Sequence, residues 1–159
     1  INLDLAKKLA DICVKNGADV LQIRDKDKYL TLTTKRDTAR YSDAHILISI
    51  HANAAGTRGG YLRVGGTSTY YNNPFWAKLA EKIYDRLLEL DIDKFGVVGS
   101  FNYIVIRVTQ MPSILVEQAF MSHAEDEEKL ACEQFRQDMA KKIYQGILDF
   151  LKYMDIKND

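Results

Sequence analysis

Two side chains stand where chemistry is expected, His51 and Glu117. His51 follows Ile46, Leu47, Ile48 and Ile50, a short, nearly all-apolar run rich in β-branched residues. Such a run reads as a strand buried on both faces, from the middle of an α/β sheet. Ligands of open α/β sheets bind beyond the carboxyl ends of the strands, so an imidazole there can serve a metal or a proton. The plainer alternative is a histidine that hydrogen-bonds the next loop. Asn53 and the glycine-rich stretch 56–66 come next and are expected to wall a substrate groove, because binding residues concentrate on loops hung from rigid strand ends. Glu117 sits inside Ile114-Leu115-Val116-Glu117-Gln118-Ala119-Phe120. A carboxylate in a core strand is costly unless it is paired, hydrogen-bonded or beside a metal. It is therefore either functional or ion-paired, with Arg107 or Arg24 as partner.

The elements that must position these residues follow from periodicity. Ile1, Leu5, Leu9 and Ile12 recur at helical spacing up to Asn16-Gly17, which predicts a first helix over 1–16. Residues 20–24 read as a short strand, and Asp25 to Lys28 as a solvated turn. Thr31 can cap a helix over 32–41 with Leu32 and Ala39 inward. Helix, strand, helix, strand predicts parallel pairing with helical crossovers.

The segment 56–66 holds five of the nine glycines, but it lacks the Gly-Lys-Ser/Thr ending of a phosphate loop. Residues 61–64 and 67–71 read instead as short strands of a possible hairpin. Asn72-Asn73-Pro74 starts a helix with the apolar stripe Trp76, Leu79, Ile83 and Leu87. Residues 95–102 read as a loop, and 103–107 and 113–119 as strands. Ser122-x-x-Glu125 has the form of a capping box, which makes the acidic run 125–128 a helix start and leaves His123 exposed. A last helix is expected over 133–154, followed by a frayed polar tail, 155–159. The fold class is α/β: a single domain, residues 1–154, with a twisted, mostly parallel sheet and helices on both faces.

Composition narrows the function. Lys+Arg and Asp+Glu are balanced at 22 each, which argues against nucleic acid as a partner. No apolar run approaches the ~20 residues that cross a bilayer. Cys13 and Cys132 lie in helical segments without metal-ligand spacing and read as buried free thiols. The chain opens at Ile1, already inside a helical pattern, so an upstream piece is expected to be missing.

Ser49-Ile50-His51-Ala52-Asn53-Ala54, Leu115-Val116-Glu117 and Ala119-Phe120-Met121-Ser122 together resemble the zinc-dependent N-acetylmuramoyl-L-alanine amidases of the third amidase family. Ile23-Arg24-Asp25, Thr69-Tyr70-Tyr71, Gly96-Val97, residues 103–107 and Met111-Pro112 follow the same family in the same order. The resemblance implies hydrolysis of the amide between N-acetylmuramic acid and L-alanine in peptidoglycan. It implies His51 as a ligand of Zn2+, Glu117 as the catalytic carboxylate, and Asn53 and Arg107 as substrate contacts. It also implies a monomer working in the cell envelope, periplasmic or extracellular. Two further ligands of the family, a His in a glycine-rich turn and a Glu at the first helix start, would fall upstream of Ile1. The 159-residue chain alone is therefore expected to be inactive and short of zinc. The direct run from Tyr71 into the next helix leaves no room for the cleft-blocking insertion of some members, which implies an open groove. Two other classes remain: a peptidoglycan-binding relative that does not cleave, and a zinc carboxypeptidase-like peptidase.

Overall fold

The computed structural model describes residues 1–55 and 64–158, the side chains of 156–158 excepted. Among them a four-stranded sheet runs in the order β1 (Leu47–Asn53), β4 (Ser113–Phe120), β2 (Thr67–Tyr71), β3 (Lys94–Val98). β1 with β4 and β2 with β3 are parallel, whereas β2 and β4 are antiparallel. β4 is central, and all eight of its residues are buried.

The pleat sorts side chains to two faces. Ile48, Ile50, Ile114 and Val116 face a core shared with α1 (Asn2–Lys15), α3 (Ala77–Leu87) and α5 (Glu133–Asn158). The opposite face meets α2 (Leu32–Arg40) and the 3₁₀ turn Ile104–Ile106, through Leu47, Ala39, Val108 and Met111 and through Tyr70, Leu115, Val105 and Ile106. A short helix, α4 (Ala124–Ala131), follows β4 and sends Leu130 into the larger core. This is an α/β domain with helices on both faces of a mixed sheet.

Capping explains several boundaries. The Thr31 hydroxyl accepts the Thr34 N–H at 3.0 Å and starts α2. Asn73 accepts the Phe75 N–H at 3.1 Å, and Pro74 opens the 3₁₀ turn that leads into α3.

Several expectations are corrected. β1 is an edge strand of half-buried residues among the described residues, because β4 pairs it on one side only. Residues 20–24 are irregular, with Val20 and Leu21 exposed, while Ile23 packs against the Ala39–Met111 cluster. Leu32 is exposed in the first turn of α2, where nothing lies over it, while Ala39 is buried as expected. Residues 94–98 form β3 despite Gly96, since β2 offers a parallel ladder. Residues 104–106 wind as a 3₁₀ turn: the Ser113 hydroxyl lies 3.3 Å from the Ile106 carbonyl and 2.9 Å from that of Val108, folding the segment back on β4.

Ser122 does not form the capping box, because its hydroxyl accepts the Ala55 N–H at 2.9 Å. His123 is half-buried against Gly65, and Cys132 is exposed. The backbone of α5 continues to Asn158, so the tail is helical almost to its end. The expected strand at 61–64 lies, apart from Val64, outside the described residues, as does most of the glycine-rich loop.

Candidate active site

The parallel register of β1 and β4 makes His51 and Glu117 Cα partners, which puts both side chains on one face near the carboxyl ends of adjacent strands. Leu115, two residues before Glu117, marks that face by packing against Tyr70, Val105 and Ile106. The two residues singled out in the sequence are thus brought together.

Their environments drive both toward neutrality. Glu117 is 5% exposed and its Oε2 has no hydrogen-bond partner. Burial pushes its carboxyl up to about 7. No ion pair joins it to Arg107 or Arg24 among the described residues: Arg24 pairs with Asp27 at 3.6 Å, and Arg107 Nη2 donates to the Asn102 carbonyl at 3.0 Å. Burial, reinforced by the positive charge of Lys35 on α2, pushes the His51 imidazole down to about 4. Its Nε2 lies 3.0 Å from the Ser49 hydroxyl, which fixes the ring from the same strand face.

Other polar residues build the frame, and periodicity did not reveal them. Gln118, fully buried on the opposite face, donates from Nε2 to the Asn2 side chain at 2.8 Å and to the His51 carbonyl at 3.0 Å. One amide thereby ties the start of α1 to the end of β1. Asp126 is 2% exposed, and its Oδ2 accepts the N–H groups of Phe120 at 2.9 Å and Gly66 at 2.7 Å. The sequence signal for Asp126 was only its membership of an acidic helix start.

Asn53 follows a register irregularity after His51. Its carbonyl accepts the Met121 N–H at 2.8 Å and its side-chain oxygen accepts the Ala54 N–H at 2.8 Å, so β1 is held to the turn that follows β4. Arg107 is exposed, next to Val108, whose carbonyl accepts from Ser113 at the amino end of β4; Ser113 lies four residues, about 13 Å along the strand, before Glu117. An open cavity of about 610 Å³ lies at the start of α1, lined by residues that include Asn2, Lys7, Arg24 and Met121. Neither His51 nor Glu117 lines it.

A catalytic zinc is held by three protein ligands with water in the fourth position. A neutral imidazole and an orphaned buried carboxylate oxygen suit a metal chemically. Among the described residues, however, no group of three or more His, Cys, Asp or Glu side chains is placed to share an ion. Residues 56–63, which lie outside the description, contain none of these residue types. The described residues do not complete a zinc site.

Comparison with known proteins agrees with the geometry. A family model described as N-acetylmuramoyl-L-alanine amidase matches residues 1–149. The uncharacterised protein YqiI of Bacillus subtilis is 30% identical over 151 residues, covering 92% of this chain and 71% of that protein. LytC of Bacillus subtilis, an N-acetylmuramoyl-L-alanine amidase, is 30% identical over 156 residues, covering 96% of this chain and 31% of LytC. The catalytic domain of CwlV, an N-acetylmuramoyl-L-alanine amidase from Bacillus (Paenibacillus) polymyxa var. colistinus, superposes with a TM-score of 0.85 at 30% identity, over 94% of this chain and 82% of that one. The chain spans only part of each of these proteins. With the strand that ends in His51 set beside the strand that carries Glu117, and with the family model matched from Ile1 almost to the end of the last helix, this chain belongs to the N-acetylmuramoyl-L-alanine amidase family.

Proposed function

We propose that this protein hydrolyses the amide bond between N-acetylmuramic acid and L-alanine in peptidoglycan, in the cell envelope. The observation that carries the proposal is Glu117, a buried carboxyl with one orphaned oxygen, beside His51 in a chain of this family. A group poised at about 7 is populated in both protonation states near neutral pH. Glu117 takes a proton from the attacking water and returns it to the departing amine of the alanine. His51, neutral over the same range, offers a lone pair or a ring N–H without adding charge. Asn53, at the mouth of β1, and Arg107, whose guanidinium is exposed, are the proposed substrate contacts.

Zinc dependence is the finer part of this proposal, with His51 as one ligand; the described residues supply no complete ligand set beside it. Glu117→Gln tests the reading. In the protein as its source makes it, this variant should keep its fold and metal content and lose at least ~10²-fold in turnover, the scale of a lost general base. Release of stem peptides at the wild-type rate by this variant would remove Glu117 from the reaction, whereas no release by the wild-type protein would favour a binding module that does not cleave.

A further inference from the structure

The row of paired residues continues past Glu117. Ser68 of β2 is the Cα partner of Glu117 on the flank away from His51. Directly opposed residues on neighbouring antiparallel strands share a face, with Cβ atoms about 4.5–5.5 Å apart. Ser68 is fully buried and its Oγ has no hydrogen-bond partner, the same condition as Glu117 Oε2.

Each such atom is costly alone, and buried polar atoms without partners are rare. Two of them on neighbouring residues account for each other if the hydroxyl turns to the carboxyl or one water bridges them. Competing donors are few. Thr67, on the other face, spends its hydroxyl on the Glu117 carbonyl at 3.1 Å. The wall of Tyr70, Leu115, Val105 and Ile106 is apolar apart from the Tyr70 hydroxyl. Tyr103 lies close enough that the Glu117 charge, after burial, raises its phenol, which offers a third polar partner for a water.

We infer that Ser68 is a positioning residue for Glu117: its hydroxyl holds Oε2, directly or through one buried water, and so fixes the direction in which the other carboxyl oxygen points. The inference rests on Glu117 as the proton-transfer group, but its first test is independent of turnover. Infrared spectra are recorded below the pKa of about 7 to which burial lifts Glu117, and the carboxyl C=O band is assigned by its loss in Glu117→Gln.

In Ser68→Ala, with unchanged circular dichroism, the band should move to higher frequency, as a carboxyl deprived of a hydrogen bond does. Ser68→Cys, which keeps a weaker donor, should give an intermediate position. A band that stays in place in folded Ser68→Ala overturns the inference. In the active protein Ser68→Ala should lower kcat by up to about a hundredfold with KM unchanged, the scale of a misplaced reacting group. Ser68→Cys should recover part of that loss; wild-type kcat in Ser68→Ala, where Glu117→Gln is impaired, overturns the inference. A moved band in Ser68→Ala together with full turnover in Glu117→Gln would support the Ser68–Glu117 contact and remove the proposed reaction.

Discussion

Glu117 and His51 pull folding stability in opposite directions as pH changes. The Glu117 carboxyl rises from an ordinary value of 4.5 to about 7. Its contribution to stability is therefore present below 4.5 and is lost as pH rises through about 7. The His51 imidazole falls from 6.5 to about 4, so its contribution is present above 6.5 and is lost as pH falls toward 4. Between these limits the two effects oppose each other, and each variant should unmask the other. In metal-free protein the midpoint of Glu117→Gln minus that of wild type should rise with pH as Glu117 ionises. The same difference for His51→Asn should fall with pH between about 4 and 6.5. Thermal melts across that range decide it; a flat difference for either variant would remove the corresponding shift. Both residues were legible in the sequence because each is a titratable group in an apolar strand. Ser68, Gln118 and Asp126 were not, since their partners arrive from other strands, helices and turns that only the fold brings near.

Among the elements, helices were easier to read than strands. The period of α1, α3 and α5 left a clear apolar face, and the backbone of α5 runs on past the Met154 expected as its end. Short apolar runs are ambiguous: residues 103–107 look like a strand but turn as 3₁₀, and residues 94–98 look like a loop but find a ladder. Packing between α3 and α5 rests on a close approach at Gly146, where an added Cβ would lie 2.5 Å from the Ile83 Cα. Gly146→Ala should therefore destabilise the protein by about 1–3 kcal/mol, the range for overpacking, even though alanine favours a helix. Denaturant unfolding measures it, and a gain in stability would show that the helices part freely. Asp126 is the corresponding clamp between α4, β4 and the segment before β2. Asp126→Ala should cost about 1–3 kcal/mol for each backbone N–H left unpartnered, and amide exchange at Gly66 and Phe120 should accelerate. Unchanged exchange at both amides would contradict this.

For the molecule as a whole, alternation of helix and strand correctly gave an α/β sheet covered on both faces. It could not give strand order, because the antiparallel entry of β2 beside β4 is a choice among topologies with the same local pattern. The ligand count makes a prediction at this scale. A single imidazole with one carboxylate lacks the several preorganised donors on which tight zinc binding depends. The 159-residue chain should therefore carry well below one zinc per molecule after dialysis against trace metal. One tightly held ion, lost in His51→Ala, would show that other side chains rearrange to complete the site.

The edge position of β1 bears on how the protein behaves in concentrated solution. Its outer flank has no strand partner among the described residues, and Leu47–Asn53 contains neither Lys, Arg, Asp nor Glu. The only ionisable group on it, His51, is neutral above a pH of about 4. Nothing on the strand therefore repels a second copy at neutral pH, whereas natural edges are usually guarded by charge, proline or a bulge. Light scattering should show growth that steepens with protein concentration at neutral pH, and Ile48→Lys should suppress it at some cost to the core that Ile48 helps to pack. Among the described residues, the strand that presents the imidazole thus also offers an uncharged edge to a second copy, with only the register irregularity after His51 to interrupt it.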